Sequence, residues 1–423
     1  MGTVLLKRPW AVRIVLFFIP VVPVWPTGAT AQCTPASSAA LDQEIASLQR
    51  QLSASPSDPV LLYNLAADYA DKCDGANTLA LLHKVANAGG DLDPEQYRGF
   101  AFVRDSAEFK SIVAQVRAHN PPRIQSHTAF VIKEPNLFPE GMAYARFNGR
   151  VYAGSVKRKI VWTNKSGGVH ELVRPGEDGL GYVGGLHVDE KRKQLWAVST
   201  HFGNAPESAG MVQGLFVYDL VTGKHITTLT APDKGAGYLN DVTVASSSGD
   251  AYTTNTDQGA VYVGRRGSHE LQLFLPVGTV PGANGIALSE DEKTLFVAGD
   301  LGITRVDLQS KSFALLPKPD SVVDASTDGL YFYRQSLVGI QNGIHPGRVM
   351  RFYLDPGLTK ITRGEILETY NPLFENPTTG CLDGDSLLFM ANTQLHEWVP
   401  GKPLPPVSEL RDILIQRIIL RNR

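Results

Sequence analysis

The sequence has few cysteines and lacks several common catalytic motifs. Its 423 residues include three cysteines, Cys33, Cys73 and Cys381, which are too few for a zinc ribbon or a framework of disulfides. The zinc-binding His-Glu-x-x-His pair, the Gly-x-Ser-x-Gly nucleophile elbow and the Gly-x-x-x-x-Gly-Lys phosphate loop are also absent. These absences argue against a zinc protease, an elbow-type serine hydrolase and a P-loop nucleotidase.

An excess of charge of one sign is missing too. The formal net charge is −2, and no basic cluster indicates a nucleic-acid surface. A hydrophobic content of 43% and a charged content of 19% are ordinary for globular proteins, and the length allows two domains. We expect neither a nucleic-acid partner nor a membrane partner.

The first 31 residues have the pattern of a secretory signal peptide. Lys7-Arg8 and Arg13 come before an apolar run, and Ala29-Thr30-Ala31 supplies small residues for cleavage. A membrane anchor is the alternative, but Pro20 interrupts the run before it could span about 30 Å of hydrocarbon. We therefore expect cleavage after Ala31 and a periplasmic or secreted protein.

Export would place the cysteines in an oxidising compartment. Cys33 and Cys73 both lie in or beside a region of helical pattern, whereas Cys381 lies far along the chain. We predict a disulfide between Cys33 and Cys73, with Cys381 buried and reduced.

Residues 34–120 have apolar residues at helical spacing. Leu41, Ile45 and Leu48 form one such face, and Asp58-Pro59 is a typical helix start. The pattern predicts four to five helices, one pair of which resembles a tetratricopeptide repeat. An array of such repeats needs about three copies to be stable alone. We therefore expect this helical domain either to pack on the rest of the chain as a cap or to bind a protein partner.

The rest of the chain, residues 126–423, repeats a short motif after the linker Pro121-Pro122. Each copy opens an apolar segment, and its second residue is usually glycine. The copies are Glu140-Gly141, Gly184-Gly185, Asn240-Asp241, Asn284-Gly285, Asp328-Gly329 and Thr379-Gly380. Their spacings of 44, 56, 44, 44 and 51 residues fit one four-stranded blade per copy. The sequence thus predicts an all-β, six-bladed β-propeller that follows a small α-helical domain.

A further strand is predicted just before the first copy, at residues 126–133. We expect this strand to pair into the last blade. Pairing of this kind closes the ring of blades and removes an exposed sheet edge.

The first residues of the six copies are expected to surround the central channel, because the innermost strands of a propeller line its axis. Glu140, Asn240, Asn284 and Asp328 carry carboxylate or amide groups. Such oxygen ligands suit Ca²⁺ or another divalent cation. Asn-Gly and Asp-Gly are also common tight-turn pairs, which is the alternative for any single copy. Four polar residues in one register favour a metal site.

These residues also carry a family resemblance. The region from about residue 138 to 398 resembles the senescence marker protein, gluconolactonase and luciferin-regenerating enzyme family, six-bladed calcium propellers related to diisopropylfluorophosphatase and, more distantly, to paraoxonase. The resemblance implies metal ligands at Glu140, Asn240, Asn284 and Asp328, although Ala283 stands where the family usually has proline. The gluconolactonases hold a sugar-acid carboxylate with an arginine two residues before the third-blade asparagine, where this chain has Tyr238.

The loops after the second strand of each blade are expected on the same face as the metal site. They cover residues 154–157, 200–211, 255–258, 299–300, 341–348 and 392–394. His201 and His345 lie in two of these loops and are candidate acids or bases, with histidines of no catalytic role as the alternative. Weaker candidates are Tyr238, Asn255, Asp257 and Asn342.

The predicted function is a calcium-dependent hydrolase of a small-molecule lactone or ester, with phosphotriesters as a further substrate class. Asp328 is the expected general base or nucleophile. The alternative is a non-catalytic extracytoplasmic binding propeller with structural calcium, whose helical domain recruits a protein partner.

Overall fold

Four α-helices precede the blades in the described part of the chain. The structure is a computed structural model that describes residues 33–36, 38–89, 91–164, 168–201, 208–232, 237–399 and 402–421. The predicted signal peptide, residues 1–31, lies outside the described residues. The helices are α1 (Ala39–Ala54), α2 (Pro59–Asp71), α3 (Gly75–Asn87) and α4 (Ala107–His119). None of the helices in these ranges has the length and apolar character that crossing a bilayer requires.

Each helix begins where the sequence offers a capping side chain. Ser38, Asp58, Asp74 and Ser106 accept hydrogen bonds from backbone N–H groups in the first turns of α1 to α4. Pro59 stands at the start of α2, where its missing N–H has no intrahelical partner to lose. The helix start predicted at Asp58-Pro59 is confirmed.

Six four-stranded antiparallel sheets follow in the described ranges. Blade 1 consists of β2 (Pro139–Ala145), β3 (Arg150–Ser155), β4 (Lys159–Thr163) and β5 (Val169–Val173); blade 2 of β6 (Tyr182–Asp189), β7 (Gln194–Thr200), β8 (Gly214–Asp219) and β9 (His225–Thr230); blade 3 of β10 (Leu239–Val244), β11 (Ala251–Asn255), β12 (Ala260–Gly264) and β13 (Leu271–Leu275). Blade 4 consists of β14 (Ile286–Leu288), β15 (Thr294–Gly299), β16 (Gly302–Asp307) and β17 (Phe313–Leu315); blade 5 of β18 (Thr327–Phe332), β19 (Ser336–Gln341), β20 (Arg348–Leu354) and β21 (Ile361–Thr369); blade 6 of β22 (Gly380–Asp383), β23 (Ser386–Met390), β24 (Ile413–Ile419) and β1 (His127–Ile132).

The predicted motif copies fall at the starts of the first strands. Glu140, Asn240 and Asp328 are each the second residue of β2, β10 and β18, and Asn284 precedes β14 by two residues. The first strand of every blade contacts the first strands of both neighbouring blades, including β2 with β22. The predicted six-bladed propeller, with its motif copies in register around the axis, is confirmed.

Apolar cores fill the spaces between adjacent blades. Tyr152 of blade 1 shares one core with Phe216 of blade 2, and Phe296 of blade 4 shares another with Phe352 of blade 5. Strands such as β11, β15 and β19 are buried along their whole length, because both faces of an inner strand pack against a neighbouring blade. The cores therefore hold the six motif copies at fixed positions.

The ring is closed by the strand that comes before the first motif copy. Strand β1 pairs with β24, from His127 opposite Arg417 to Ile132 opposite Ile413. The predicted closure of the last blade is therefore confirmed. Just before β1, the fully buried carboxylate of Glu368 accepts two backbone hydrogen bonds of 2.8 Å from residues 125 and 126.

The helical region packs directly on the propeller. Val323 and Ile344, from the connections that flank β18 and β19, belong to the same apolar core as the helices. Lys318 lies 3.6 Å from the carboxylate of Asp58. These contacts make the helical region a cap on the propeller, one of the two arrangements that the sequence left open.

The predicted disulfide is also present. Cys33 is bonded to Cys73, and it ties the segment before α1 to the end of α2. Cys381 is buried and free, and burial raises the pKa of its thiol well above the ordinary range. The expected cysteine chemistry is confirmed in both parts.

Replacing both Cys33 and Cys73 with alanine is expected to lower the free energy of unfolding by about 4 kcal/mol, because the bond closes a loop with a sequence separation of 40 residues. Denaturant unfolding of the wild-type protein and the double variant measures the difference. As a control, alkylation of the unreduced, denatured wild type should modify Cys381 alone. Modification of all three cysteines would contradict the bond.

Candidate functional site

The polar residues of the motif copies converge on the central channel. Glu140, Asn240 and Asp328 are almost fully buried, and Asn284 is half-buried. They come from blades 1, 3, 5 and 4, so a single short segment of chain could not supply them. Their positions follow from the register of the innermost strands.

The glycines of the motif allow the blades to approach each other. A Cβ atom on Gly141 would lie 2.1 Å from the carbonyl oxygen of Gly184, and one on Gly285 would lie 2.1 Å from the carbonyl oxygen of Asp328. Neither glycine has a positive φ, so these pairs are not the tight turns that were the alternative for a single copy. Glycine is needed here because the backbone of the next blade occupies the space of a side chain.

Threonine hydroxyls join neighbouring blades at the same level of the channel. The hydroxyls of Thr378 and Thr379 donate to the carbonyl oxygen of Glu140 at 3.0 and 2.6 Å. Thr254 donates in the same way to the carbonyl oxygen of Asn284 at 2.8 Å. These bonds fix the backbone at two of the predicted ligands.

Three carboxylates share this buried space. Burial, followed by the charges of Asp328 and Asp241, raises the pKa of Glu140 well above its ordinary value. Burial also raises the pKa of Asp241 to about 7 and that of Asp328 to about 6. No basic side chain of the described residues is among the groups that act on these three pKa values. The channel therefore holds three acidic groups without a basic partner, and their raised pKa values favour protonation or a bound cation.

Two oxygen atoms at this point lack a hydrogen-bond partner within the described part of the chain. Asn342 donates to Oδ2 of Asp328 at 2.5 Å, and Asn284 also interacts with this carboxylate and lowers its pKa, whereas Oδ1 of Asp328 and Oδ1 of Asn284 are buried without a hydrogen bond. Buried polar atoms are normally satisfied. Unpartnered carboxylate and amide oxygens beside excess negative charge have the chemistry of a hard-cation site, so the residues present fit Ca²⁺.

In the described ranges, no three side chains of aspartate, glutamate, histidine or cysteine form a group that could hold a metal ion by themselves. The predicted ligand set contains only two carboxylates, those of Glu140 and Asp328, and its other members are amides. The calcium site therefore stays a proposal.

Asp241 is a residue of the channel to which the sequence alone assigned no role. Its carboxylate accepts the backbone N–H of Val242 at 2.8 Å and that of Ile286 at 3.3 Å, so it binds blade 3 to blade 4. The signal was available, because Asp241 is the one second residue among the six motif copies that is not glycine. Its side chain adds a third negative group to the channel.

Tyr238 also lies close to the channel. Burial raises its pKa, and the nearby carboxylates of Glu140, Asp328 and Asp257 raise it further. The sequence placed Tyr238 and Asp257 only among the weaker candidates. The structure brings Tyr238 close to the predicted ligands and Asp257 close to Tyr238.

The two candidate histidines have different surroundings. His345 lies against the helical region, where its carbonyl oxygen accepts the backbone N–H of Asp93 at 2.7 Å, and burial lowers the pKa of its imidazole. His201 directly follows β7, and its buried Nδ1 has no hydrogen-bond partner within the described ranges. The loop beyond it, residues 202–207, lies outside the described residues. A catalytic role for either histidine stays a prediction.

Comparison with known proteins gives no family. No protein-family model matches the chain, and no curated protein matches it. Among solved structures, the chain is similar to one described as the crystal structure of a nidogen/laminin complex, with 13% identity and a TM-score of 0.44 over 56% of this chain and 81% of that chain. The resemblance to the gluconolactonase family therefore also stays a proposal.

Asp241→Asn is expected to remove part of the pH dependence of stability of the metal-free protein. The pKa of Asp241 is raised from 3.8 to about 7 by burial, so between these values the folded state keeps a proton that the unfolded state has released. Stability of the wild type therefore falls as the pH rises through this range. As the pH rises through this range, the free energy of unfolding of the variant should therefore rise by up to about 4 kcal/mol relative to that of the wild type, measured by denaturant unfolding with chelator. A difference that does not change with pH would contradict the assignment.

Gly285→Ala is expected to destabilise the protein by about 1 to 3 kcal/mol, because the added methyl group must displace the backbone of Asp328. Gly168→Ala is the matched control, since its Cβ would lie 3.8 Å from the nearest atom. Thermal unfolding compares the two variants. Equal melting temperatures would show that the close approach of the blades has no energetic weight.

Proposed function

We propose that this propeller is a calcium-dependent hydrolase of lactones or esters, with phosphotriesters as a further substrate class. We also propose that it is a distant relative of the senescence marker protein, gluconolactonase and luciferin-regenerating enzyme family. The observation that supports both is the buried cluster of Glu140, Asp241 and Asp328, with unpartnered oxygens on Asp328 and Asn284.

The residues that would hold the cation are Glu140, Asn240, Asn284 and Asp328. Calcium bound there would act as a Lewis acid toward a carbonyl or phosphoryl oxygen. The side-chain N–H of Asn240 donates to the hydroxyl of Thr256 at 3.0 Å, which orients the amide group. Asp241 has both oxygens engaged by backbone N–H groups, so we assign it to holding the blades rather than to the cation.

We assign proton transfer to Asp328. Asn342 holds its Oδ2, and Oδ1 is left without a partner within the described residues. Burial raises the pKa of this carboxyl to about 6 in the metal-free protein, and a bound cation would lower the pKa and favour the carboxylate that a base requires. Oδ1 would accept a proton from water as the water attacks the substrate, or Oδ1 would itself attack as the nucleophile.

The charges around the channel favour an uncharged substrate. Glu140, Asp241 and Asp328 are acidic, and the half-buried Tyr238 stands where the gluconolactonases have an arginine. A negatively charged sugar acid would therefore find no arginine there to bind its carboxylate. We favour neutral lactones and esters.

We also propose that the protein works outside the cytoplasm. The sequence pattern of residues 1–31 and the disulfide between Cys33 and Cys73 both support export. A protein of the periplasm or extracellular medium would meet millimolar concentrations of calcium in many environments, which suits a site of moderate affinity.

Asp328→Asn is expected to lower turnover of the best substrate by about 10² to 10⁴-fold, because the carboxylate that accepts the proton is lost. Calcium affinity should fall less, since Glu140 remains. Glu140→Gln should instead weaken calcium binding first and recover activity with excess calcium. The measurement is hydrolysis of neutral lactones, aryl esters and phosphotriesters with and without chelator, alongside calorimetric calcium binding.

Asp324→Asn is the matched control for this experiment. Asp324 is equally buried, and burial raises its pKa to about 6, but it lies beside Lys318 rather than in the channel. If Asp328→Asn saturated with calcium is as fast as the wild type, the catalytic assignment is wrong. If the wild type hydrolyses none of the three substrate classes, the alternative of a non-catalytic binding propeller with structural calcium is favoured.

A further inference from the structure

The loop of residues 341–348, between β19 and β20, is held by the helical region. Ile344, at the centre of this loop, is buried in the apolar core that the helices form with each other. The backbone N–H of Asp93 donates to the carbonyl oxygen of His345 at 2.7 Å. Apolar burial and a hydrogen bond therefore fix the middle of the loop from the helical side.

An ion pair fixes the end of the same loop. Arg348 is fully buried, and its guanidinium forms an ion pair with Asp91 of the helical region. The same guanidinium donates from Nε to Oε1 of Gln341 at 2.6 Å, and so joins the two ends of the loop. Removing the partner of a buried charge is strongly unfavourable, so Asp91 stabilises Arg348 at this end of the loop, where Arg348 is also paired with Gln341 across β19 and β20.

The loop also carries the contact to the proposed base. Asn342, two residues before Ile344, donates to Oδ2 of Asp328 at 2.5 Å. The loop of residues 341–348 therefore contacts the helical region at one end and the channel carboxylate of Asp328 at the other. Each link in this series is a direct contact between neighbouring groups.

We propose that the helical region positions the channel carboxylate: Asp91 and Asp93 hold the loop of residues 341–348 so that Asn342 orients Asp328. Asn342 is then a positioning residue that acts through Asp328, and the helical region is a working part of the site. The expected effects on calcium rest on the proposed function, whereas the expected movement of Asn342 does not.

Tyr370 supplies a milder way to test the same series. Its hydroxyl donates to Oδ2 of Asp93 at 3.0 Å, and Asp93 is the residue whose backbone holds His345. Tyr370→Phe removes one hydroxyl group and leaves every charge in place. This variant keeps the test decisive if Asp91→Asn fails to fold.

Asp58 offers a matched control on the other side of the interface. Its carboxylate lies 3.6 Å from Lys318, which is outside the loop of residues 341–348. Asn is as good a helix cap as Asp, so Asp58→Asn weakens one ion pair between helices and propeller while α2 keeps its cap. It is the same substitution as Asp91→Asn at an interface position that does not touch the loop.

The experiment follows the side-chain amide of Asn342 in the full chain labelled with ¹⁵N-asparagine, with chelator present. The signal that is missing in Asn342→Ala identifies it. We expect Asp91→Asn and Tyr370→Phe to shift this signal, the latter less, and to speed up hydrogen exchange of residues 341–348. Asp58→Asn should do neither.

Two results would overturn the proposal: an Asn342 signal that stays in place in Tyr370→Phe and, where it folds, in Asp91→Asn, or one that moves equally in Asp58→Asn. Calorimetry with CaCl₂ then tests the consequence for the site. Asn342→Ala should weaken calcium binding by roughly 10 to 100-fold, as loss of a group that orients a metal ligand does. A wild type that binds no calcium would refute the proposed function, and the Asn342 signal would still decide whether the helical region positions Asp328.

Discussion

The structure around Glu140, Asp241 and Asp328 must hold these three acidic groups together against their electrostatic repulsion. Carboxylates that are buried together favour the protonated form or a bound cation, and otherwise they favour moving apart. They cannot move apart here, because the glycine contacts and threonine hydrogen bonds hold the innermost strands together. The inter-blade cores then resist any widening of the channel. The rigidity of the propeller thus maintains an arrangement of charge that the side chains alone would not adopt.

The sequence predicted the parts of this arrangement that repeat. The six motif copies, the closing strand and the start of α2 all follow from local patterns that are read within a few residues. The disulfide followed from the number of cysteines and their places along the chain. The contact between Asn342 and Asp328 and the ion pair between Asp91 and Arg348 could not be found in this way. They depend on how two regions far apart in sequence pack together, and no periodic pattern records that packing.

The structure of the helical region could also be predicted only in part. Its apolar spacing predicted helices, and it left open whether they form a cap or a groove for a partner. Val323 and Ile344 show that the helices form a cap, because these propeller residues complete the apolar core of the helices. Neither residue belongs to a helical pattern, so the helical sequence could not show which propeller residues pack against the helices. The helical region is best understood as a structure completed by blade 5.

The pairing of β1 with β24 has a consequence for the order in which the protein can mature. Strand β1 is made before any of the blades, and its partner follows all the other strands in the described residues. While the later blades are still being synthesised, strand β1 has no partner and the ring of blades is open. Contacts between segments so far apart also make folding slow. The ring can therefore close only after the last strand of the sixth blade has been made.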